Sequence, residues 1–287
     1  MADNRKYKST GKIDVDDLYS APAPAAYVQF LYEHDYRLPT QATPILKAVL
    51  AKLRVLRGKS TLRVLDLGCS YGIMSAFLRH DLDLAALHRH YGEGYDAARA
   101  PDEIYRDDAG YFTASRRRND LAIVGIDPSG PAVDYARATG LIDESCALSL
   151  ENEMPLADDA ARALSGLDLI FSTGVIGYAG VQTIKRLLAL NGTTQPWLLN
   201  FVLRGVDYAP IAQFLAGNGY VTARDRNVYR QRRFAGEEER NRWLDNLQTQ
   251  GIDAAGYETT GYSCAELFLS RPAAESAGPP VLAAVLL

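Results

Sequence analysis

The chain reads as an α/β protein. The expected architecture is a doubly wound, mostly parallel seven-stranded sheet with an antiparallel C-terminal edge strand. An N-terminal helical cap and an insertion between the first helix behind the sheet and strand two complete it. Three observations predict this. Short apolar runs alternate with helical patterns along most of the chain, as in βαβ units. The first strong run, 62–67, ends in two glycines four apart, Gly68 and Gly72, before a new helical pattern begins. The last two runs, 220 to about 234 and 265–269, fit an antiparallel strand pair at one edge.

In order along the chain, residues 1 to about 12 are polar and basic and read as disordered. Residues 13–44 are rich in tyrosine and proline. Asp14 is placed to cap a short helix, and a second helix fits 25–33. This segment is either a structural cap over an apolar edge or a lid over a site. Pro44 suits the first turn of a helix, so the main domain is expected to run from 45 to 287, with 1–44 as tail and cap. Strand one is 62–67, followed by a helix over about 71–80. The polar, aromatic stretch 81–120 carries helical pieces over 82–91 and 101–117 and is read as an insertion, because strand two, 121–126, is plainly apolar. A helix over 130–139 stops at Gly140. Strand three lies within 144–150, strand four is 167–172, and strand five is 197–202. Helices cover 181–190, 209–218 and, between the last strands, 237–250. There are no internal repeats, and no linker divides two independent domains.

Composition limits the function. The 287 residues suffice for one large domain. A net charge of -4 argues against a dedicated nucleic-acid or anionic-membrane binder. Cys69, Cys146 and Cys264 are far apart and offer neither metal spacing nor a disulfide framework, which suits a reducing, cytoplasmic compartment. No signal peptide is visible, and no run approaches a membrane span. The apolar tail 279–287 is too short to cross a bilayer. It packs either on the domain or on a neighbouring chain, so a homodimer is one open assembly.

The chemistry sits where a doubly wound sheet holds ligands, beyond the C-terminal strand ends. Gly68 allows a tight turn, and Gly72 lets the following helix start come close. The intervening Cys69-Ser70-Tyr71 departs from GxGxxG. Asp66 ends strand one two residues before Gly68. A negative charge there repels a pyrophosphate but attracts an ammonium. Asp127, followed by Pro128, ends strand two, where a carboxylate can hold both hydroxyls of a ribose. The bland alternatives are a loop cap for Asp66 and an Asp-Pro turn for Asp127.

The run Val64-Leu65-Asp66-Leu67-Gly68-Cys69-Ser70-Tyr71-Gly72 resembles the first motif of class I S-adenosylmethionine (SAM)-dependent methyltransferases. That resemblance implies SAM as cofactor, bound by Asp66, Gly68, Cys69, Ser70, Tyr71, Gly72, Asp127 and Pro128. It further implies that Glu151, with Asn152 beside it, reads the adenine amino group. A solvated loop is the alternative for both. The stretch Phe171-Ser172-Thr173-Gly174-Val175-Ile176-Gly177-Tyr178 resembles the motif after strand four in small-molecule methyltransferases. There Ser172, Thr173 and Gly174 would line the methyl donor, and Tyr178 would face the acceptor. An Asn/Asp-Pro-Pro-aromatic motif is absent, which counts against methylation of exocyclic base amines.

The implied activity is methyl transfer to O or N of a small molecule, possible roles lying in specialised metabolism. The alternatives are a peptide or protein methyltransferase and a non-catalytic SAM-fold partner subunit. RNA methylation is opposed by the acidic charge. The expected partner is a small-molecule or peptide acceptor, with neither nucleic acid nor membrane. Tyr19, Tyr27 and Tyr178 are the candidate substrate contacts. His34, within the cap, is the candidate base and Tyr178 its companion. His80, His88 and His90 lack metal-ligand spacing, and no metal is expected. Arg224, Arg226, Arg230 and Arg232 share strand parity. They form either an anion-holding face or a solvated edge.

Overall fold

The computed structural model describes residues 16–276, except 81 and 153. The expectations for the N-terminal tail, for Asp14 and for the apolar tail 279–287 lie outside the described residues. One seven-stranded sheet has the order β3-β2-β1-β4-β5-β7-β6. Its strands are β1 (Leu62–Leu67), β2 (Leu121–Asp127), β3 (Glu144–Ala147), β4 (Leu169–Thr173), β5 (Trp197–Leu203), β6 (Tyr220–Arg233) and β7 (Tyr262–Pro272). β1 pairs in parallel with both β2 and β4, so the strand order reverses at β1. The C-terminal strand β7 is antiparallel to its neighbours and lies between β5 and β6. β6 therefore takes the outer position.

Ten α-helices are described: α1 (Ala25–Glu33), α2 (Leu38–Arg57), α3 (Ile73–Arg79), α4 (Leu84–His90), α5 (Pro101–Ser115), α6 (Gly130–Ala138), α7 (Asp158–Ala163), α8 (Val181–Leu190), α9 (Ala209–Gly217) and α10 (Glu237–Thr249). Side chains alternate across each strand, and the strands feed two cores. Leu62 and Val64 pack with α2 and α10 residues such as Leu46, Leu50 and Trp243. Leu65 and Leu67 pack with Ile184, Leu187, Ile211 and Leu215 of α8 and α9. A third cluster joins cap and insertion: Tyr27, Phe30 and Leu31 of α1 meet Tyr71, Phe77, Leu87, Ile104 and Phe112.

Two expectations are corrected here. Pro44 does not open a helix; it lies inside α2, which Pro39 enters at its first turn. Buried Leu38, Ala42, Ile45, Leu46, Val49 and Leu50 carry one apolar face through the proline. That burial outweighs the one backbone bond a proline removes. The helix crosses the 44/45 position at which the cap was expected to end. The four arginines of β6 do not share a face: between Arg230 and Arg232 the strand carries one extra residue relative to β7, which inverts the alternation and turns Arg232 to the opposite face. Arg224 reaches Glu266 at 2.7 Å in the open, whereas Arg232 is buried.

The insertion holds two helices, as the sequence suggested. Asp83 caps α4 by accepting from Ala86 N at 2.7 Å. Among the described residues, no helix is long and apolar enough to cross a membrane. No group of potential metal ligands occurs among them either.

Candidate functional site

A cavity of about 630 Å³ lies beyond the C-terminal ends of β1, β2 and β4. Its size is that of a ligand pocket, and its place is the reversal in strand order. The α1 region and β6 close its far side.

The glycine turn forms its floor. Gly68 and Gly72 have φ of 75° and 79°, and Ser70 joins them at 50°. A Cβ on Gly68 would stand 2.6 Å from Val175 Cγ2, so this glycine admits the loop after β4. A Cβ on Gly72 would meet Leu141 and Ala136 at 3.1 and 3.2 Å. Gly72 thus serves the packing of α3 on α6 and does not line the cavity, contrary to expectation. The turn amides are also committed. Gly68 N and Cys69 N donate to Ile126 O, and Gly72 N donates to Cys69 O. Ser70 N donates to Asp127 Oδ2 at 3.0 Å.

Both acidic residues line the cavity. Asp66 is 2% exposed and accepts from Ser75 Oγ at 2.9 Å. Burial pushes its carboxyl up to about 7; the Ser75 bond pulls the other way and the Asp127 charge adds to the rise. Asp127 is held in place by Ser70 N and by Ser129 N, which donates to Oδ1 at 3.0 Å. Ser70 Oγ faces the Tyr27 phenol yet completes no hydrogen bond of normal geometry, although it is buried. Cys69, Pro128, Thr173, Gly174, Tyr19, Tyr27 and Tyr178 also line the cavity. Tyr178 stands 52% exposed.

Five expected contacts lie elsewhere. Tyr71 is fully buried, and its hydroxyl is shared between the carbonyls of Leu18 and Ala21, at 3.0 and 2.7 Å. It anchors the segment that carries Tyr19. Ser172 donates to Asn200 Oδ1 at 2.7 Å inside the sheet. Glu151 accepts from Gly180 N, Thr183 N and Thr183 Oγ1 at 2.6, 3.0 and 2.6 Å. It closes the start of α8, where unpaired amides attract a carboxylate. Asn152 beside it gives its carbonyl to Arg186. His34 is absent from the cavity wall; its Nδ1 donates to Phe30 O at 2.7 Å, because it ends α1.

The wall also contains residues that the sequence did not single out: Phe30, Leu31, Tyr36, Met74, Ser129 and Gln231; Arg232, one of the four β6 arginines, lines it as well. Ser129 Oγ donates to Tyr19 O at 2.5 Å, pinning the same segment as Tyr71. Tyr36 faces Thr173, and burial pushes its phenol well up. The aromatic spacing of α1 was a usable signal for Phe30. Gln231 depends on the β6 register shift between Arg230 and Arg232 and had none.

No protein-family model and no curated protein matches the chain. Several solved structures are similar. The plantazolicin methyltransferase BpumL in complex with SAH (S-adenosylhomocysteine) is 10% identical, over 90% of this chain and 97% of that one, with a TM-score of 0.45. A TehB-like SAM-dependent methyltransferase from Corynebacterium glutamicum is 12% identical over 76% and 85%, with a TM-score of 0.37. A SAM-dependent methyltransferase from Geobacter sulfurreducens with SAH is 15% identical over 82% and 96%, with a TM-score of 0.36. At these identities and TM-scores the likeness carries no activity over to this chain.

Proposed function

We propose that this protein is a SAM-dependent methyltransferase. Its acceptor is a small molecule methylated on O or N, with a peptide as the nearest alternative. One observation carries the reading: Asp66 and Asp127, from the ends of adjacent parallel strands, face one cavity across a glycine turn. That pair suits an amino-acid-bearing nucleoside. Asp66 offers a carboxylate to an ammonium. Asp127, oriented by two backbone amides, offers one to ribose hydroxyls. The unsatisfied Ser70 Oγ is a further polar atom in want of a ligand partner. A second observation supports a sulfonium in particular. Tyr19, Tyr27, Tyr36 and Phe30 supply aromatic faces to the same space, and such faces attract a cation.

SAM supplies an already activated methyl group. The chain's work is then alignment and exclusion of water. The 18–21 segment, tied down by Tyr71 and Ser129, covers the cavity beside Asp127. Calorimetry with SAM and SAH tests the donor site, and labelled SAM added to metabolite extracts tests the transfer through a mass gain of one methyl. A folded protein that binds neither SAM nor SAH would refute the reading.

A further inference from the structure

The cavity also limits which chemical group can accept the methyl. Among the described residues that line it, the basic side chain is Arg232. Arg232 is already committed: it donates to Glu239 through two bonds of 2.6 and 3.0 Å and to Arg233 O at 2.8 Å. Both partners are buried, at 3% and 1% exposure. An anionic acceptor would meet two carboxylates and, among the described residues, no lining cation free to compensate it.

A proton acceptor is equally hard to find. The described lining contains neither histidine nor lysine. Burial pushes the phenols of Tyr19, Tyr27 and Tyr36 and the thiol of Cys69 upward, so all four stay protonated at neutral pH. Asp66 and Asp127 are engaged by the donor under the reading above. An alcohol, phenol or thiol would have to shed its proton with no group among the described residues placed to take it.

We infer that the acceptor atom is a neutral nitrogen, either an amine free base or an aromatic ring nitrogen, held among the rings of Tyr27, Phe30 and Tyr36. The inference rests on the methyltransferase reading. A neutral nitrogen needs no counter-charge and no base. Its lone pair forms the N–CH₃ bond. The S–CH₃ bond breaks, and its electron pair stays on sulfur as the neutral thioether. The positive charge passes from sulfur to nitrogen, and aromatic faces stabilise it on either atom. Where the methylated nitrogen bears hydrogen, its proton leaves to water after transfer, through the mouth at Tyr178.

The test uses the whole protein saturated with SAH, with saturation followed by calorimetry. Phenyltrimethylammonium and benzoate are then titrated separately into that complex. The cation is expected to bind at least tenfold more tightly than the anion. Tyr36→Leu should weaken the cation at least fivefold and leave benzoate nearly unchanged. Benzoate binding as tightly as the cation would overturn the inference and leave the donor site standing, as would a labelled product methylated on oxygen or sulfur. Failure of SAH itself to bind would overturn both.

Discussion

Asp66 carries a stability cost at neutral pH, and under the proposed function it returns that cost as binding. Its carboxyl is buried, one hydroxyl donates to it, and it titrates at about 7 instead of near 4. The folded protein therefore holds a proton that the unfolded chain has released between about pH 4 and 7. Stability falls as pH rises through that window. Asp66→Asn removes this penalty and is expected to raise the melting temperature of the ligand-free protein at pH 8. Near pH 4 the gain should vanish. Binding has the opposite sign. An ammonium partner requires the ionised carboxylate, so SAM affinity should climb from pH 5.5 towards 7, by up to about tenfold per pH unit. Calorimetry in buffers of different ionisation enthalpy should register proton release at pH 6.5. Asp66→Asn should flatten that profile and weaken SAM at least tenfold at pH 7.5. A pH-independent affinity would show that Asp66 does not meet the ammonium. Asp127→Ala is expected to weaken SAM at least tenfold as well, with no such pH signature, because its proposed partners are hydroxyls.

Single elements explain why some acidic and aromatic residues near the motifs lie away from the cavity wall. Glu151 follows β3 by sequence, but the start of α8 decides its direction, since three donors from Gly180 and Thr183 converge on one oxygen. Glu151→Ala should cost about 1–2 kcal/mol of stability, in the range of a lost helix cap, while SAM affinity moves less than threefold. Chemical denaturation paired with calorimetry separates the two. Tyr71 belongs to the glycine turn by sequence and to the 18–21 segment by contact. Its ring packs near Tyr27 and Tyr135, and its hydroxyl fixes two carbonyls of that segment. Tyr71→Phe keeps the ring and removes the hydroxyl. It should cost about 1 kcal/mol and release bound SAH severalfold faster, measured by stopped-flow displacement. An unchanged release rate would mean that the segment does not govern the exit. Ser172 was open to a better reading. It shares strand parity with Ile170, whose side chain enters the core under α8 and α9, so period-two alternation already aimed it inward.

At the scale of the whole molecule, what could be read from sequence was whatever a buried parallel sheet imposes. Strands covered on both faces are continuous apolar runs, and their ends fix where Asp66 and Asp127 stand. The rest depended on partners distant in sequence. The bulges that turn Gln231 and Arg232 into the cavity are set by pairing with β7. The insertion takes its place through one buried carboxylate. Asp108 of α5 accepts from His90 Nε2 at 2.8 Å, Tyr95 OH at 2.9 Å and Tyr135 OH at 2.6 Å, and Tyr91 OH meets Tyr135 OH at 2.6 Å. His90 stacks on Tyr111 at 3.8 Å, while His88 of α4 stacks on Tyr32 of α1 at 3.7 Å. Insertion, cap and α6 are thereby linked into one layer over the sheet. If that layer is cooperative with the rest, loosening Asp108 must be felt at the cavity. Asp108→Ala leaves the buried Tyr135 hydroxyl and two half-buried donors, His90 and Tyr95, without their acceptor, at about 1–3 kcal/mol for the buried group before relaxation. The expected result is a large fall in stability, a single unfolding transition, and weaker retention of SAH although Asp108 does not line the cavity. Asp108→Asn, which keeps one acceptor oxygen, should recover part of both losses. Hydrogen exchange that accelerates in α4 and α5 alone, with α1 unaffected and SAH held as before, would show that the insertion opens independently of the cap.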